Sequence, residues 1–296
     1  MSKVDNNISM AKQIQWFPGH MAKTRRKITE DLRLVDIVVE LLDARIPASS
    51  SNPVLREIIR SKPRVVVLNK SDLADPRQTG RWIAKIREQG IRAIQLESKT
   101  GKGLQALYPA IREELKEQIA SWERKGMTGR PIRVMVLGIP NVGKSSIINR
   151  MLIGGGAGRA EVRDKPGVTR QNRWFTIGKG FELLDTPGVL WPKFEDPTVG
   201  ERLAMTGAVK DEILDIEGLA GRLLEALAGL YPQALEKRYK LELPDKPLAG
   251  HELLELVGRK RGMLVSGGDI DTERAAVTVL DEFRGGKLGA ITLEWP

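Results

Sequence analysis

The 296-residue chain has no cysteine and only two histidines. Without thiols there is no disulfide framework, no thiolate zinc site and no cysteine nucleophile. Any imidazole chemistry must fall to His20 or His251. No apolar run approaches the roughly 18 residues that a membrane-crossing helix needs, and Met1 to Met10 lacks the apolar core of a signal peptide. A soluble, cytoplasmic protein without a membrane partner is therefore expected. Acidic residues are also few relative to basic ones, 38 against 48, for a formal charge of +10 and a pI near 9.8. The imbalance suggests either a polyanionic partner or a solvated basic face. It is unevenly distributed: residues 121–180 carry 12 basic and 3 acidic side chains, whereas 236–296 carry 10 and 11. The hydrophobic fraction, 41%, is that of a globular protein, and the length accommodates roughly two domains.

What the chain does have is a set of loop motifs at the ends of strand-like runs. Gly138-Ile139-Pro140-Asn141-Val142-Gly143-Lys144-Ser145 fits G-x-x-x-x-G-K-[ST], entered by an apolar run at 132–137 and left by helical spacing at 146–152. Its glycines allow the N–H groups from Asn141 to Ser146 to turn inward, and the following helix adds partial positive charge, so an anion is cradled. Lys144 is expected to reach the outer phosphates and Ser145 to ligate Mg²⁺. A second motif, Asn69-Lys70-Ser71-Asp72, closes the buried strand 64–68. A carboxylate there offers two acceptors to guanine N1–H and its exocyclic amine, a fork adenine cannot use, and Asn69 serves the O6 and N7 side. Ser98 and Lys99, after the strand 92–96, are similar to a guanine-support loop. Thr169 is the candidate switch threonine, closing over Mg²⁺ and the γ-phosphate. Asp185-Thr186-Pro187-Gly188 would hold Mg²⁺ through Asp185 and sense the γ-phosphate through the Gly188 N–H.

The order of these parts is unusual, because the base-reading motifs precede the phosphate loop. A site assembled from strand ends survives circular permutation when the original termini lie close together. Here the chain resembles the circularly permuted GTPases of the YlqF/RbgA type, bacterial ribosome-assembly factors. The resemblance rests on W-F-P-G-H-M-A-K at 16–23, D-A-R-I-P at 43–47, the phosphate loop, D-T-P-G-V-L-W-P-K at 185–193, and Lys260-Arg261-Gly262 with Ser266-Gly267-Gly268. It implies a GTPase acting in late maturation of the large ribosomal subunit, contacting the precursor particle and its rRNA, and monomeric when free. The expected architecture is α/β: a circularly permuted P-loop GTPase domain with a mostly parallel sheet and helices on both faces (31–203), after an N-terminal arm (1–30) and before a small helical domain (204–296).

The resemblance implies that the helical domain binds RNA, although this part of the chain is nearly neutral. Leu219, Leu223, Leu224 and Leu227 share a face, as do Leu253, Leu254 and Val257, and Ala275, Ala276, Val279, Leu280 and Phe283 follow the candidate cap Asp271. Only 237–240 and 259–261 read as phosphate contacts, and each is equally a solvated patch.

Many GTPases orient the attacking water with a glutamine immediately after D-x-x-G. Here that position is Val189, followed by Leu190, so the catalytic group comes from elsewhere. His251 lies beside an apolar helical face and reads as structural. The resemblance implies that His20 acts in hydrolysis, which makes His20, Lys144 and Thr169 the candidate catalytic residues; the alternative is that His20 docks the arm or contacts RNA. Asn141 resembles asparagines that help hold K⁺. A second functional reading also stands, a nucleotide-gated RNA-binding module whose hydrolysis is incidental.

Overall fold

The structure, a computed structural model, describes residues 18–154, 162–163, 174–178, 180–184 and 196–296. These form two compact units, one within 18–72 and 76–184, the other within 196–295 together with 73–75.

In the first unit, α1 (Pro18–Asp31) leads through a 3-10 turn into β1 (Ile37–Asp43). A short turn α2 (Pro47–Ser50) and α3 (Pro53–Ile59) precede β2 (Arg64–Asn69). There follow α4 (Pro76–Glu88), β3 (Arg92–Leu96), α5 (Leu104–Glu114), α6 (Lys116–Arg124), β4 (Ile132–Gly138) and α7 (Lys144–Gly154). The strands β5 (Val162–Arg163), β6 (Trp174–Ile177) and β7 (Phe181–Leu184) complete the unit. One sheet results, in the order β3-β2-β1-β4-β7-β6-β5, parallel from β3 to β7 and antiparallel at β6 and β5. Every residue of β1 and β7 is buried, which is the reason these strands are near-continuous apolar runs rather than alternating ones.

The N-terminal arm expected over 1–30 is not separate where it is described. From Pro18 it is the helix α1, and its Ile28 is buried with Leu32, Val38, Leu55, Met135 and Leu184 in the sheet's core. Proline suits the first helical position, where an N–H would have no partner in any case. The apolar stripe from Leu104 to Trp122 belongs to two helices rather than one. Leu104, Leu107, Ile111 and Leu115 are buried, but α6 buries no residue fully and its Trp122 ring instead carries the Arg130 guanidinium at 4.0 Å.

The second unit contains α8 (Pro197–Met205), α9 (Ile216–Leu230), α10 (Pro232–Tyr239), α11 (Gly250–Lys260) and α12 (Thr272–Arg284). Asp196, Asp215 and Asp271 cap α8, α9 and α12, each accepting from a backbone N–H of the first turn. The expected boundary at 203/204 falls inside α8, which groups with the helical unit from its Asp196 cap onward. The predicted apolar faces of α9, α11 and α12 are all buried. Helices α9 and α11 cross at Gly221 and Gly250, where a Cβ on Gly250 would lie 2.6 Å from the Gly221 backbone. The same unit holds Leu73–Asp75: Ile291 N–H donates to the Leu73 carbonyl (2.9 Å), and Asp75 N–H to Thr292 Oγ1 (3.1 Å).

Two of the cations read as phosphate contacts are committed internally. Arg238 Nε donates to Glu282 Oε2 at 3.0 Å and Arg261 Nη2 to Glu282 Oε1 at 3.2 Å. Lys237, Lys240, Arg259 and Lys260 remain exposed.

Candidate nucleotide-binding site

From β1 the chain moves outward to β2 and β3, then returns to the other side of β1 with β4. Such a reversal opens a crevice beyond the carboxyl ends of the two central strands, which is where α/β sheets bind ligands. Asp43 at the end of β1 with the two residues after it, and the phosphate loop after β4 (139–143), both lie at that edge, beside the ends of β2 and β3.

Asn69, the last residue of β2, joins three of these loops. Its Nδ2 donates to the Val142 carbonyl at 2.6 Å and to Ser98 Oγ at 3.0 Å, and its Oδ1 accepts from Ser98 N–H at 3.0 Å. The amide expected to face guanine O6 and N7 is instead engaged in holding the phosphate loop against the support loop, and Asn69 is fully buried. Gly143 fits beneath it with φ at +100°, where any Cβ would run into Asn69 Nδ2 and Ser98 Oγ. Asn141 also has a positive φ, 55°, and its side chain is exposed. Successive N–H groups turned by such a backbone form an anion-binding concavity.

Lys144 opens α7, and its ammonium donates to the carbonyls of Ile139 (2.8 Å) and Gly138 (3.2 Å), so the side chain lies along the inside of its own loop. Burial lowers its pKa to about 8. Ser145 and Ser146 follow it with exposed side chains at the helix N-terminus. On the base side, Asp72 and Lys99 are exposed while Ser98 is buried. Arg150 of α7 donates to the Lys99 carbonyl, tying the support loop to the helix after the phosphate loop.

Sequence reasoning did not anticipate Arg150, nor the partner of Lys70. The Lys70 ammonium lies 3.1 Å from Asp43 Oδ2, and Arg45 grips the same carboxylate through Nη2 (2.7 Å) and Nε (2.9 Å). The signal was present in D-A-R-I-P, an acid and a base two residues apart at a strand end. His251, expected beside an apolar face, is exposed near the start of α11. His20 falls in the first turn of α1 but its side chain is outside the description, and Thr169, Asp185 and Gly188 lie outside the described residues. Among the described residues no three His, Asp or Glu side chains gather as a metal cluster. A phosphate-loop metal site does not require one, because it takes one or two protein oxygens and completes its shell with phosphate and water. The exposed Ser145 hydroxyl at the cradle is compatible with such a site.

A family model described as 50S ribosome-binding GTPase matches residues 133–222. Over 284 residues the chain is 49% identical to ribosome biogenesis GTPase A of Bacillus cereus, covering 96% of this chain and 94% of that protein. The protein of the same name from Thermotoga maritima is 32% identical, with 96% and 95% covered. Among solved structures, a GDP-bound YlqF aligns with a TM-score of 0.66 at 30% identity, covering 91% of this chain and 99% of that one. GNP-bound YlqF from T. maritima gives 0.66 at 29% identity, with 93% and 98% covered. The strand-end site, the permuted motif order and these whole-length relatives agree: the chain belongs to the ribosome biogenesis GTPase A family of circularly permuted GTPases.

Proposed function

We propose that this GTPase acts in late maturation of the large ribosomal subunit and that the ribosomal particle stimulates its hydrolysis of GTP. The observation that carries the nucleotide half is the Asn69 amide, which binds the phosphate loop and the guanine-support loop into one rim although they stand 40 and more residues apart. The names of relatives at 49% and 32% identity support the ribosomal half.

In this reading Asp72 reads the guanine edge, Ser98 and Lys99 support the base, and the N–H groups from Asn141 to Ser146 with that of Gly188 hold the phosphates. Lys144 neutralises the outer phosphate oxygens. GTPases generally work with Mg²⁺; Ser145, Thr169 and Asp185 would hold it, and when bound it offsets charge on the phosphate oxygens. Asn141 would hold K⁺, which supplies positive charge in place of an arginine finger. His20 orients the attacking water, because Val189 and Leu190 cannot. The helical unit contacts rRNA through exposed cations such as Lys237, Lys240, Arg259 and Lys260, while the free protein is a cytoplasmic monomer.

The experiment is GTP hydrolysis by the wild type and His20→Ala, in K⁺ and in Na⁺, with and without large ribosomal subunits. Strong stimulation by subunits in K⁺, abolished by His20→Ala with GDP affinity intact, is the expected result. A rate indifferent to subunits and to His20 would replace this proposal with a nucleotide-gated RNA-binding module.

A further inference from the structure

The D-A-R segment lies at the edge of the site but makes none of the proposed nucleotide contacts, yet it places an acid and a base, both almost fully buried, at the floor of the nucleotide edge. Asp43 ends β1 opposite Asn69, the last residue of β2, and the next peptide continues the join, with Ala44 N–H donating to the Asn69 carbonyl at 2.9 Å. The Asp43 backbone N–H donates to Ser50 Oγ at 3.0 Å, and its carboxylate accepts from Arg45 N–H at 3.1 Å as well as from the guanidinium. These contacts fix the carboxylate, and Lys70 is the second cation on it.

Lys70 itself has φ at +59°, a conformation that strains any residue with a Cβ. The strain has a use. The left-handed turn lets the chain place Asn69 inward, at full burial, and Asp72 outward with its carboxylate exposed within three residues. A turn of this kind persists only when its surroundings over-determine it, and the Lys70 ammonium is drawn to a carboxylate whose position the D-A-R segment sets. Burial, which would raise the Asp43 pKa, is outweighed by Arg45 and Lys70, and the carboxyl stays ionised well below the usual range. The Asp43 end of the anchor is therefore charged at every physiological pH, and at the other end burial lowers the Lys70 pKa against the pull of that carboxylate.

We infer that Asp43, oriented by Arg45, is a positioning residue for guanine selection: by anchoring Lys70 it holds the left-handed turn that sets Asp72 against the base. The inference rests on the proposal that Asp72 reads guanine. Its consequence concerns selectivity rather than phosphate binding. GDP offers the Asp72 fork two donors, N1–H and the exocyclic amine, whereas IDP offers N1–H alone, so a loosened Asp72 loses more on GDP than on IDP.

The test is titration of GDP and IDP with the wild type, Asp43→Asn, Lys70→Met and the double variant, all full-length. Each single variant should lower the GDP-over-IDP preference by about fivefold to tenfold, and the double variant should lower it no further, because both break one linkage. Should Asp43→Asn fail to fold with Arg45 left uncompensated, Lys70→Met keeps the Asp43–Arg45 pair and still reports the preference. An unchanged preference in Lys70→Met, or losses that multiply in the double variant, would overturn the inference; the second result would mean that Lys70 serves the nucleotide independently of Asp43. Asp72→Asn separates the two proposals: if it turns the site toward XDP while Lys70→Met leaves the GDP-over-IDP preference intact, Asp72 reads the base and only the positioning role fails.

Discussion

In the α/β unit the buried polar side chains Asp43, Arg45, Asn69 and Ser98 stand at the carboxyl ends of strands and tie loops to one another. In the helical unit the buried Glu282 gathers Arg238 from the end of α10 and Arg261 from just beyond α11, and so ties helices together. Both arrangements spend charge and hydrogen bonds inside the protein, but the first does so beside exposed groups at the ends of neighbouring strands, namely Asp72, Lys99 and Ser145. A sheet edge fixes loops from several strands at once, so a few struts shape a site. The helix bundle leaves Lys237, Lys240, Arg259 and Lys260 exposed beside these two arginines, where they meet solvent or an extended polyanion.

The comparison is broken most severely at Gly143. Gly143→Ala would place a Cβ against Asn69 Nδ2 on a backbone with φ at +100°. GDP titration should show affinity reduced by at least about 100-fold, with the far-ultraviolet circular dichroism of the whole chain retained. Next is Glu282→Ala, which leaves two guanidinium groups without their carboxylate. Denaturant unfolding should show a loss of about 2 kcal/mol, discounted for the partial exposure of both arginines, while GDP affinity changes by less than about twofold. The same ion pairs set a pH dependence. Burial would raise the Glu282 pKa, but Arg238, Tyr239 and Arg261 outweigh it and hold it below the ordinary 4.5. The stabilisation is thus fully present above about pH 4.5 and is lost as pH falls through the lower folded-state value; Glu282→Gln should flatten that slope in acid-unfolding curves.

A smaller effect belongs to Lys144. An anion binds its charged form, and with a pKa of about 8 that form declines as pH rises, so GDP affinity should fall by about fivefold between pH 8 and pH 9. Calorimetric titration across that range checks it. Smallest of all is Lys260→Ala, which removes one exposed cation; binding to rRNA should weaken by about threefold and the salt slope drop by about one, with no loss of stability.

How legible each unit was follows from the same contrast. The strands β1, β2, β4 and β7 could be read because strands buried on both faces must be apolar throughout, and the motifs at the strand ends could be read because phosphate and guanine chemistry demand glycines and an acid at set positions. The short antiparallel strand β6, between β7 and β5, was missed: only Trp174 and Ile177 are buried in it, too short a pattern to stand out. Asn69 was legible as part of the site but not in its task, because its amide could serve either a base or two neighbouring loops, and only the packing of Gly143 beneath it decides. In the helical unit the apolar faces and the Asp271 cap were readable from spacing alone. Which cations face outward was not, since Arg238 and Arg261 meet Glu282 across more than 20 residues of sequence.

The central claim is that loops lying before the phosphate loop in the chain read guanine beside it. Its most direct test is the affinity of wild type and Asp72→Asn for GTP and XTP. Asparagine keeps one acceptor and gains a donor, which matches the carbonyl that xanthine carries in place of the exocyclic amine. The expected result is a preference inverted from GTP to XTP in the variant, by about 100-fold or more in the ratio. An equal loss for both nucleotides, or no change in the ratio, would contradict the account.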